Sequence, residues 1–256
     1  MLDNCLLLLA GFLVGAMNAI AGGGILLGFP VIIAFGHVSA LIANATANVS
    51  VLPGSISSAY GYRKQFKKIP KVFFLLLLPA LFGSAIGALL LLHTSANNFE
   101  SFVPWLLLFA VLLFTIQPWF YGKLKKRFKR KNSQQDIRII IFIGLGLIPL
   151  AIYGGYFGAG FGFVMLAFLG FTELHSFVHR MNAVKNLLSV SITFADIVLL
   201  FNSTLINWHI GIITAIGSSL GGYFGATYIQ KVNTRIIRIA IIIIGVAATI
   251  YLLVTS

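Results

Sequence analysis

Apolar segments of membrane-spanning length recur along the whole chain. A transmembrane helix needs about 20 consecutive, mostly apolar residues. Eight such segments can be read, at roughly 5–35, 39–60, 70–92, 101–121, 138–170, 174–201, 207–229 and 235–254. The stretches between them are too short to build a soluble domain. The pattern therefore predicts an all-α, multi-pass bundle whose entire length serves to cross a bilayer.

The composition and the placement of charge agree with that prediction. Hydrophobic residues make up 59% of the chain and charged residues only 9%, whereas soluble domains carry about 25% charged residues. The net charge of +13 comes from Lys and Arg residues that lie mostly in short loops, as the positive-inside rule expects. Because no segment could form a folded basic face, we expect no nucleic-acid partner.

The N-terminus and the single cysteine each limit what the chain can be. Residues 1–5 lack the basic region of a cleavable signal peptide, so we expect the first apolar run to be retained. Cys5 alone can form neither an intrachain disulfide nor a cysteine-based metal cluster.

The first and fifth segments are too long for one straight crossing and contain glycine clusters in mid-run. Glycine disfavours helix by about 1 kcal/mol relative to alanine, so we predict that both helices break there. Irregular backbone at membrane depth is tolerated only where protein or a water-filled cavity satisfies it, and the breaks therefore indicate a binding site. The clusters comprise Gly22, Gly23, Gly24 and Gly28, and Gly154, Gly155, Gly158, Gly160 and Gly162.

A single ungapped offset aligns three features of the two halves. The motif at 44–48 aligns with 182–186. At the same offset, the motif at 83–88 aligns with 221–226, and Gly22 and Gly24 align with Gly160 and Gly162. We therefore predict two transmembrane repeats, 1–121 and 138–256, joined by a basic cytoplasmic linker at 122–137. Many secondary transporters are built from such repeats, although an old duplication without a present mechanism is the alternative.

The loop charges indicate that the two repeats are inverted. The loops after the second and fourth segments are rich in Lys and Arg and should be cytoplasmic. In the second half the loop after the sixth segment is uncharged, and Lys231, Arg235 and Arg238 follow the seventh. Loops at corresponding places in the two halves are therefore expected on opposite sides of the membrane. This follows if the first and fifth segments dip in, break and return, with both termini outside.

Lys185 is the foremost candidate for function, because ionisable groups inside a membrane are costly and mark sites. Asn182 and Asn186 lie one helical turn to either side, and Asn44, Thr46 and Asn48 occupy the matching part of the first half. An ammonium, amides and free N–H groups at the glycine breaks would suit an anion. Pairing of Lys185 with Asp196, or snorkelling to the surface, is the alternative, and the asparagines could instead hold helices together.

Further residues complete the predicted site. Asn18 and Tyr156, just before the two breaks, could bind ligand or cap loose backbone. Asp196 could take up a proton during transport, or could pair with Lys185. The predicted substrate-binding residues are Lys185, Asn182, Asn186, Asn44, Thr46, Asn48, Gly22, Gly23, Gly24, Gly158, Gly160, Asn18 and Tyr156, with Asp196 for coupling.

The sequence contains no convincing motif for metal binding or catalysis. His175 and His179 have a spacing that could bind a metal, but two imidazoles at an interface are more often only interfacial. Catalytic motifs are missing, so we expect no enzyme, no cofactor and no metal. Gly83 with Gly87, and Gly221 with Gly225, indicate close helix packing, either within the chain or in a homodimer.

The chain resembles the TauE/SafE sulfite exporter family in both halves. The resemblance rests on the motifs at 18–24 with Pro30, at 44–46 and at 53–63 in the first half, and at 153–162, 182–186 and 221–226 in the second. It implies a bacterial cytoplasmic-membrane transporter of small sulfur-containing anions such as sulfite and organosulfonates. A passive anion channel, a membrane-embedded enzyme and a structural partner in a larger complex are the alternatives.

Overall fold

The computed structural model describes residues 2–127, 137–169, 174, 178–228 and 234–255, and these form an all-α bundle. The helices of the first half are α1 Leu2–Ile20, α2 Ile25–Gly36, α3 Ala40–Gly61, α4 Arg63–Phe66, a 3-10 helix Lys71–Leu76, α5 Leu77–Leu92 and α6 Ala96–Arg127. Those of the second half are α7 Ile137–Tyr156, α8 Phe161–Leu169, α9 Val178–Leu200, α10 Trp208–Thr227 and α11 Thr234–Thr255.

Several of these helices have the length and apolarity of membrane spans. Within the described residues, four helical stretches are long and apolar enough to cross a bilayer: 2–20, 71–92, 178–200 and 208–227. Shorter apolar helices accompany them at 25–36, 96–112, 143–156 and 242–254. The prediction of a multi-pass helical membrane protein is confirmed.

Apolar stripes on the outside of the bundle show where lipid would lie. Leu78, Phe82 and Ile86 of α5 project outward at helical spacing, each about half exposed or more. Ile212, Ile216, Leu220 and Phe224 form the same kind of stripe on α10. Water would disfavour such contiguous apolar surface, whereas hydrocarbon accepts it.

Both long apolar segments break at their glycines and fold back. A Cβ atom at Gly28 of α2 would lie 3.0 Å from the side chain of Val14 in α1, although a straight helix would separate these residues by about 21 Å. Likewise, a Cβ atom at Gly146 of α7 would lie 2.5 Å from the ring of Phe168 in α8. The predicted breaks and returns are therefore present.

Glycine pairs let helices from opposite halves pack closely. Cβ atoms at Gly83 and Gly87 of α5 would lie 2.7 and 2.2 Å from carbonyl oxygens of α7, and one at Gly221 of α10 would lie 1.8 Å from the carbonyl oxygen of Phe12 in α1. Both predicted packing motifs thus find their partners within the chain. A homodimer stays a prediction that these glycines no longer support.

Five helices of each half follow one another in a similar order, α1, α2, α3, α5 and α6 in the first and α7 to α11 in the second, whereas α4 and the 3-10 helix have no counterpart among the described residues of the second half. α3 begins at position 40 and α9 at 178, while α6 begins at 96 and α11 at 234. Both pairs therefore have the same offset as the sequence alignment, in which position 44 falls on 182. At the breaks, α1 and α7 end at positions 20 and 156, and α2 and α8 begin at 25 and 161. The ungapped alignment is therefore displaced by two positions there, which pairs Gly22 with Gly158 rather than with Gly160. The inverted orientation and the repeat boundaries stay predictions.

Some predicted features lie outside the described residues. These are part of the basic linker, 128–136, together with His175 and Lys231.

Candidate functional site

The two helix breaks are built by glycines in the left-handed region. Gly22 has a φ of +85° and Gly158 a φ of +72°, and each follows shortly after the last residue of its helix. The N–H of Gly22 donates to the carbonyl of Met17 at 3.1 Å, and the N–H of Gly158 donates to the carbonyl of Tyr153 at 3.2 Å. A left-handed glycine that closes the last turn in this way is a common helix stop, so local sequence alone ends α1 and α7.

The two breaks touch each other through their backbones. The N–H of Gly162, at the start of α8, donates to the carbonyl of Gly22 at 3.1 Å. A Cβ atom at Gly22 would lie 2.4 Å from the Cα atom of Gly162, and one at Gly23 would lie 2.0 Å from the ring of Phe163. The glycine clusters therefore permit a crossing of two irregular segments that no larger residue would allow.

Lys185 of α9 lies against the end of α1. Its side chain is fully buried, and its ammonium donates to the carbonyls of Asn18 and Ala19. The amide of Asn186 also donates to the Ala19 carbonyl, at 3.0 Å. The last carbonyls of a helix lack intrahelical partners and carry partial negative charge. α9 thus supplies a positive charge and an amide to the broken helix of the opposite half.

The position of Lys185 fits neither snorkelling to the surface nor pairing with Asp196. Snorkelling is ruled out by its complete burial. Pairing with Asp196 is ruled out because eleven residues on one helix separate them by about 16 Å, and a carboxylate oxygen of Asp196 instead accepts from the hydroxyl of Ser84 at 2.7 Å.

Asn44 and Asn48 of α3 lie against the end of α7 in a corresponding way. The amide of Asn44 donates to the carbonyl of Tyr156 at 2.9 Å. A Cβ atom at Gly158 would lie 2.2 Å from the Oδ1 atom of Asn48, so this amide lies directly beside the second break. Each asparagine-bearing helix therefore meets the broken helix of the other half.

Several buried polar atoms have no protein partner among the described residues, and some of them lie at the breaks. Among the described residues, such side-chain atoms are Asn44 Oδ1, Asn48 Oδ1 and Nδ2, Asn182 Oδ1, Asn186 Oδ1, Asp196 Oδ2 and Ser218 Oγ. The amides of Gly23, Gly24 and Ile25, where α2 begins, also find no acceptor in the described part of the chain. Buried polar groups are almost always hydrogen-bonded. Most of these unpaired atoms belong to predicted site residues, and those at the breaks mark a candidate place for polar ligands, whereas Ser218 lies beside Gly54 of α3.

Not every predicted residue joins this cluster. The hydroxyl of Thr46 accepts from the N–H of Asn207 at 3.0 Å, just before α10, and Gly160 faces Ala110 of α6. Asn18 and Tyr156 take part through their carbonyls, while the Asn18 side chain donates to Ser55 and the Tyr156 hydroxyl pairs with Thr94. Asp196 is not part of the crossing itself but lies near the end of α7, since its partner Ser84 packs against Gly155, where a Cβ atom would lie 2.7 Å from the Ser84 hydroxyl.

A buried polar stripe along α9 was missed by the sequence reasoning. Ser189 and Thr193 are buried between Asn186 and Asp196, and the positions 182, 186, 189, 193 and 196 follow the spacing of one helix face. That spacing was readable from the sequence. The partnership of Asp196 with Ser84 was not, since 112 residues separate the two.

Comparison with known proteins places the chain in a family. The family model described as "Sulfite exporter TauE/SafE" matches residues 7–252, which is nearly the whole chain. The chain belongs to the TauE/SafE family. The predicted resemblance is thereby confirmed.

Relatives of this TauE/SafE member carry transporter names. A probable membrane transporter protein of Haemophilus influenzae is 29% identical over 252 residues, covering 95% of this chain and 92% of the relative. The probable membrane transporter protein ORF9 of Sinorhizobium is 29% identical, covering 96% and 91%. YfcA of Escherichia coli K12, also named a probable membrane transporter protein, is 26% identical, covering 98% and 89%. No solved structure matches the chain.

Together, the family, these relatives and the apolar helices show a multi-pass membrane transporter.

Proposed function

We propose that this chain is a secondary transporter that carries a small anion, sulfite or an organosulfonate, across the bacterial cytoplasmic membrane by alternating access between its two halves. The sulfur chemistry rests on the family name. The bacterial setting rests on the organisms of the relatives. A preference for anions rests on the chain's own residues.

The observation that carries the proposal is a fully buried ammonium beside two crossing helix breaks with unpaired polar groups. The free N–H groups of Gly23, Gly24 and Ile25 lie at the positive end of α2, where anions are stabilised. The tip of the Ile25 side chain and the amide of Asn48 both lie beside Gly158, which brings the first residue of α2 and the Asn48 amide to the same break. Lys185 supplies the nearby positive charge.

The burial of the site favours a carrier over an open pore. Asn44, Asn48, Asn182, Lys185 and Asn186 are each at most 3% exposed, so the site is closed to water on both sides. A carrier passes through such an occluded arrangement, and the contacts between the halves, α1 with α10 and α5 with α7, would rearrange to open one side at a time.

An anion screen on the purified, full-length chain tests the substrate class. We expect sulfite or a sulfonate such as sulfoacetate to raise the thermal unfolding midpoint in a saturable way, because a ligand that binds only the folded state stabilises it. Sulfate and carboxylates are the comparison ligands, and taurine, a sulfonate without net charge at neutral pH, tests whether binding needs a net negative charge. Saturable flux of the same anion in proteoliposomes should follow. The proposal would be contradicted if neither sulfite nor a sulfonate stabilised the chain, or if the flux rose in proportion to anion concentration without saturating.

Asp196 is proposed to take up a proton during the cycle. Its side chain is fully buried, Oδ1 is held by Ser84, and Oδ2 has no partner among the described residues. An ionised carboxylate so placed would carry much of the cost of burying a charge. α5, which faces it, contains no ionisable residue, and Lys185 on α9 is about 16 Å away.

Replacing Asp196 with Asn should make anion flux independent of an imposed pH gradient, because the amide keeps the shape and the bond to Ser84 but cannot exchange a proton. The measurement is flux into proteoliposomes with and without a pH difference. Ser189→Ala on the same polar stripe is the control and should keep the pH response. An unchanged response in Asp196→Asn would remove Asp196 from coupling.

A further inference from the structure

We propose that the C-terminal end of α7 forms, with Asn44 and Asn48 of α3, a binding site for a monovalent cation such as Na⁺. The two helix breaks differ in the charge of the group that meets the helix end. The end of α1 receives the ammonium of Lys185, whereas the end of α7 receives the neutral amide of Asn44. Three residues after Asn182, α9 carries Lys185. Three residues after Asn44, α3 carries Ala47.

The atoms gathered at the end of α7 are oxygens suited to a cation. The bond from Asn44 Nδ2 to the Tyr156 carbonyl fixes the orientation of that amide and leaves its Oδ1 atom unpaired. Asn48 Oδ1, beside Gly158, likewise has no partner in the described part of the chain. Both side chains are at most 1% exposed. The end of α7 adds the negative partial charge of a helix C-terminus, and broken-helix ends with unwound carbonyls coordinate Na⁺ in other transporters.

The charge of this oxygen set selects the kind of cation. Calcium sites use several carboxylates, and here the side-chain donors are neutral amides. A single positive charge is therefore the best match. The bound cation would supply positive charge at the end of α7, as the ammonium of Lys185 does at the end of α1.

Asn48 would link this cation to the transported anion, a step that rests on the proposed function. Neither polar atom of its amide has a partner among the residues that the structure describes. With Oδ1 turned to the cation at Gly158, Nδ2 remains free to donate to an anion at the start of α2. Each ligand would then stabilise the orientation of Asn48 that the other needs, and binding of the two would be mutually favourable.

Cation-dependent stability of the purified full-length chain tests the site directly. Thermal unfolding is measured without transported anion in NaCl, KCl and choline chloride at equal ionic strength. We expect Na⁺ to raise the midpoint in a saturable way relative to choline, with K⁺ showing whether the site selects by size. Replacing Na⁺ with choline should also weaken anion binding by about tenfold, a typical coupling between sites, and should lower anion flux at subsaturating anion concentration.

Two variants and a control locate the site. Asn48→Leu should lose the Na⁺ response, and Asn48→Asp should bind Na⁺ at lower concentration because it adds a negative charge in the same shape. Ser218→Ala also removes a buried unpaired oxygen, on α10, and should keep the full response. If Na⁺ and K⁺ stabilise no more than choline, or Asn48→Leu responds like the parent chain, the cation site is wrong. Anion stabilisation without a cation response would overturn only this inference, and the reverse result would overturn only the anion proposal.

Discussion

Replacing Lys185 with alanine is expected to abolish anion transport while the protein still accumulates in the membrane. The ammonium donates to the carbonyls of Asn18 and Ala19, and hydrogen bonds to a charged group are each worth about 1.5–3 kcal/mol. Their loss leaves the end of α1 with Asn186 alone and removes the one cation that the described residues place at the breaks. For the anion, losing one hydrogen bond to a charged donor, worth about 3 kcal/mol, would weaken binding by more than about a hundredfold.

Variants of matched size separate charge from packing. Lys185→Met keeps most of the buried volume and removes the charge, so it should be as inactive as Lys185→Ala. Lys67→Ala removes a basic residue from an exposed position near α4 and should transport at the parent rate. Flux is measured in proteoliposomes at equal protein density. Parent-like flux through Lys185→Met would rule out the charge role.

The breaks were predictable from sequence because their causes are local. Clustered glycines within overlong apolar runs disfavour continuous helix wherever they occur, and positive φ at Gly22 and Gly158 is available to glycine without strain. The prominence of Lys185 was predictable for a similar reason, since an ionisable residue in mid-span is conspicuous in any sequence.

The partners of these residues could not be predicted, because they come from the other half of the chain. The bond from Lys185 to Asn18 joins residues 167 positions apart, and the crossing of Gly22 with Gly162 depends on how two hairpins approach each other. Thr46 shows the same limit. It shares the motif with Asn44 and Asn48, yet it faces Asn207 at the start of α10, since neighbouring helical positions point in different directions.

The roles of the unpaired asparagine amides could not be predicted from the sequence, because those roles depend on what surrounds each side chain in the bundle. A pattern identifies asparagines on one helix face, and both roles, helix packing and ligand binding, fit that pattern. Only the surroundings decide between them. In this bundle the Nδ2 atoms of Asn44 and Asn186 hold helix ends, while their Oδ1 atoms have no protein partner among the described residues. The same side chains therefore hold the scaffold and leave an oxygen available to the proposed ligand.

Replacing Gly22 with alanine is expected to destabilise the folded chain strongly and to stop transport. A non-glycine residue at φ +85° costs about 1–2 kcal/mol. The new Cβ atom would lie 2.4 Å from the Cα atom of Gly162, and overpacking typically costs a further ~1–3 kcal/mol. For a chain of this size, about 3 kcal/mol lowers the thermal unfolding midpoint by about 6–12 °C.

Two further alanine substitutions divide this effect into its causes. At Gly162 a Cβ atom would also strike the opposite backbone, 2.3 Å from the Cα atom of Gly22, but the φ there is not positive, so Gly162→Ala should show the clash without the strain. At Gly211 in α10 a Cβ atom would meet only Thr46, at an ordinary 3.6 Å. Gly211→Ala should therefore be neutral or stabilising, by up to about 1 kcal/mol from helix propensity. If Gly22→Ala and Gly211→Ala unfold at the same temperature, the two breaks do not cross as described, and the site built on their contact does not exist.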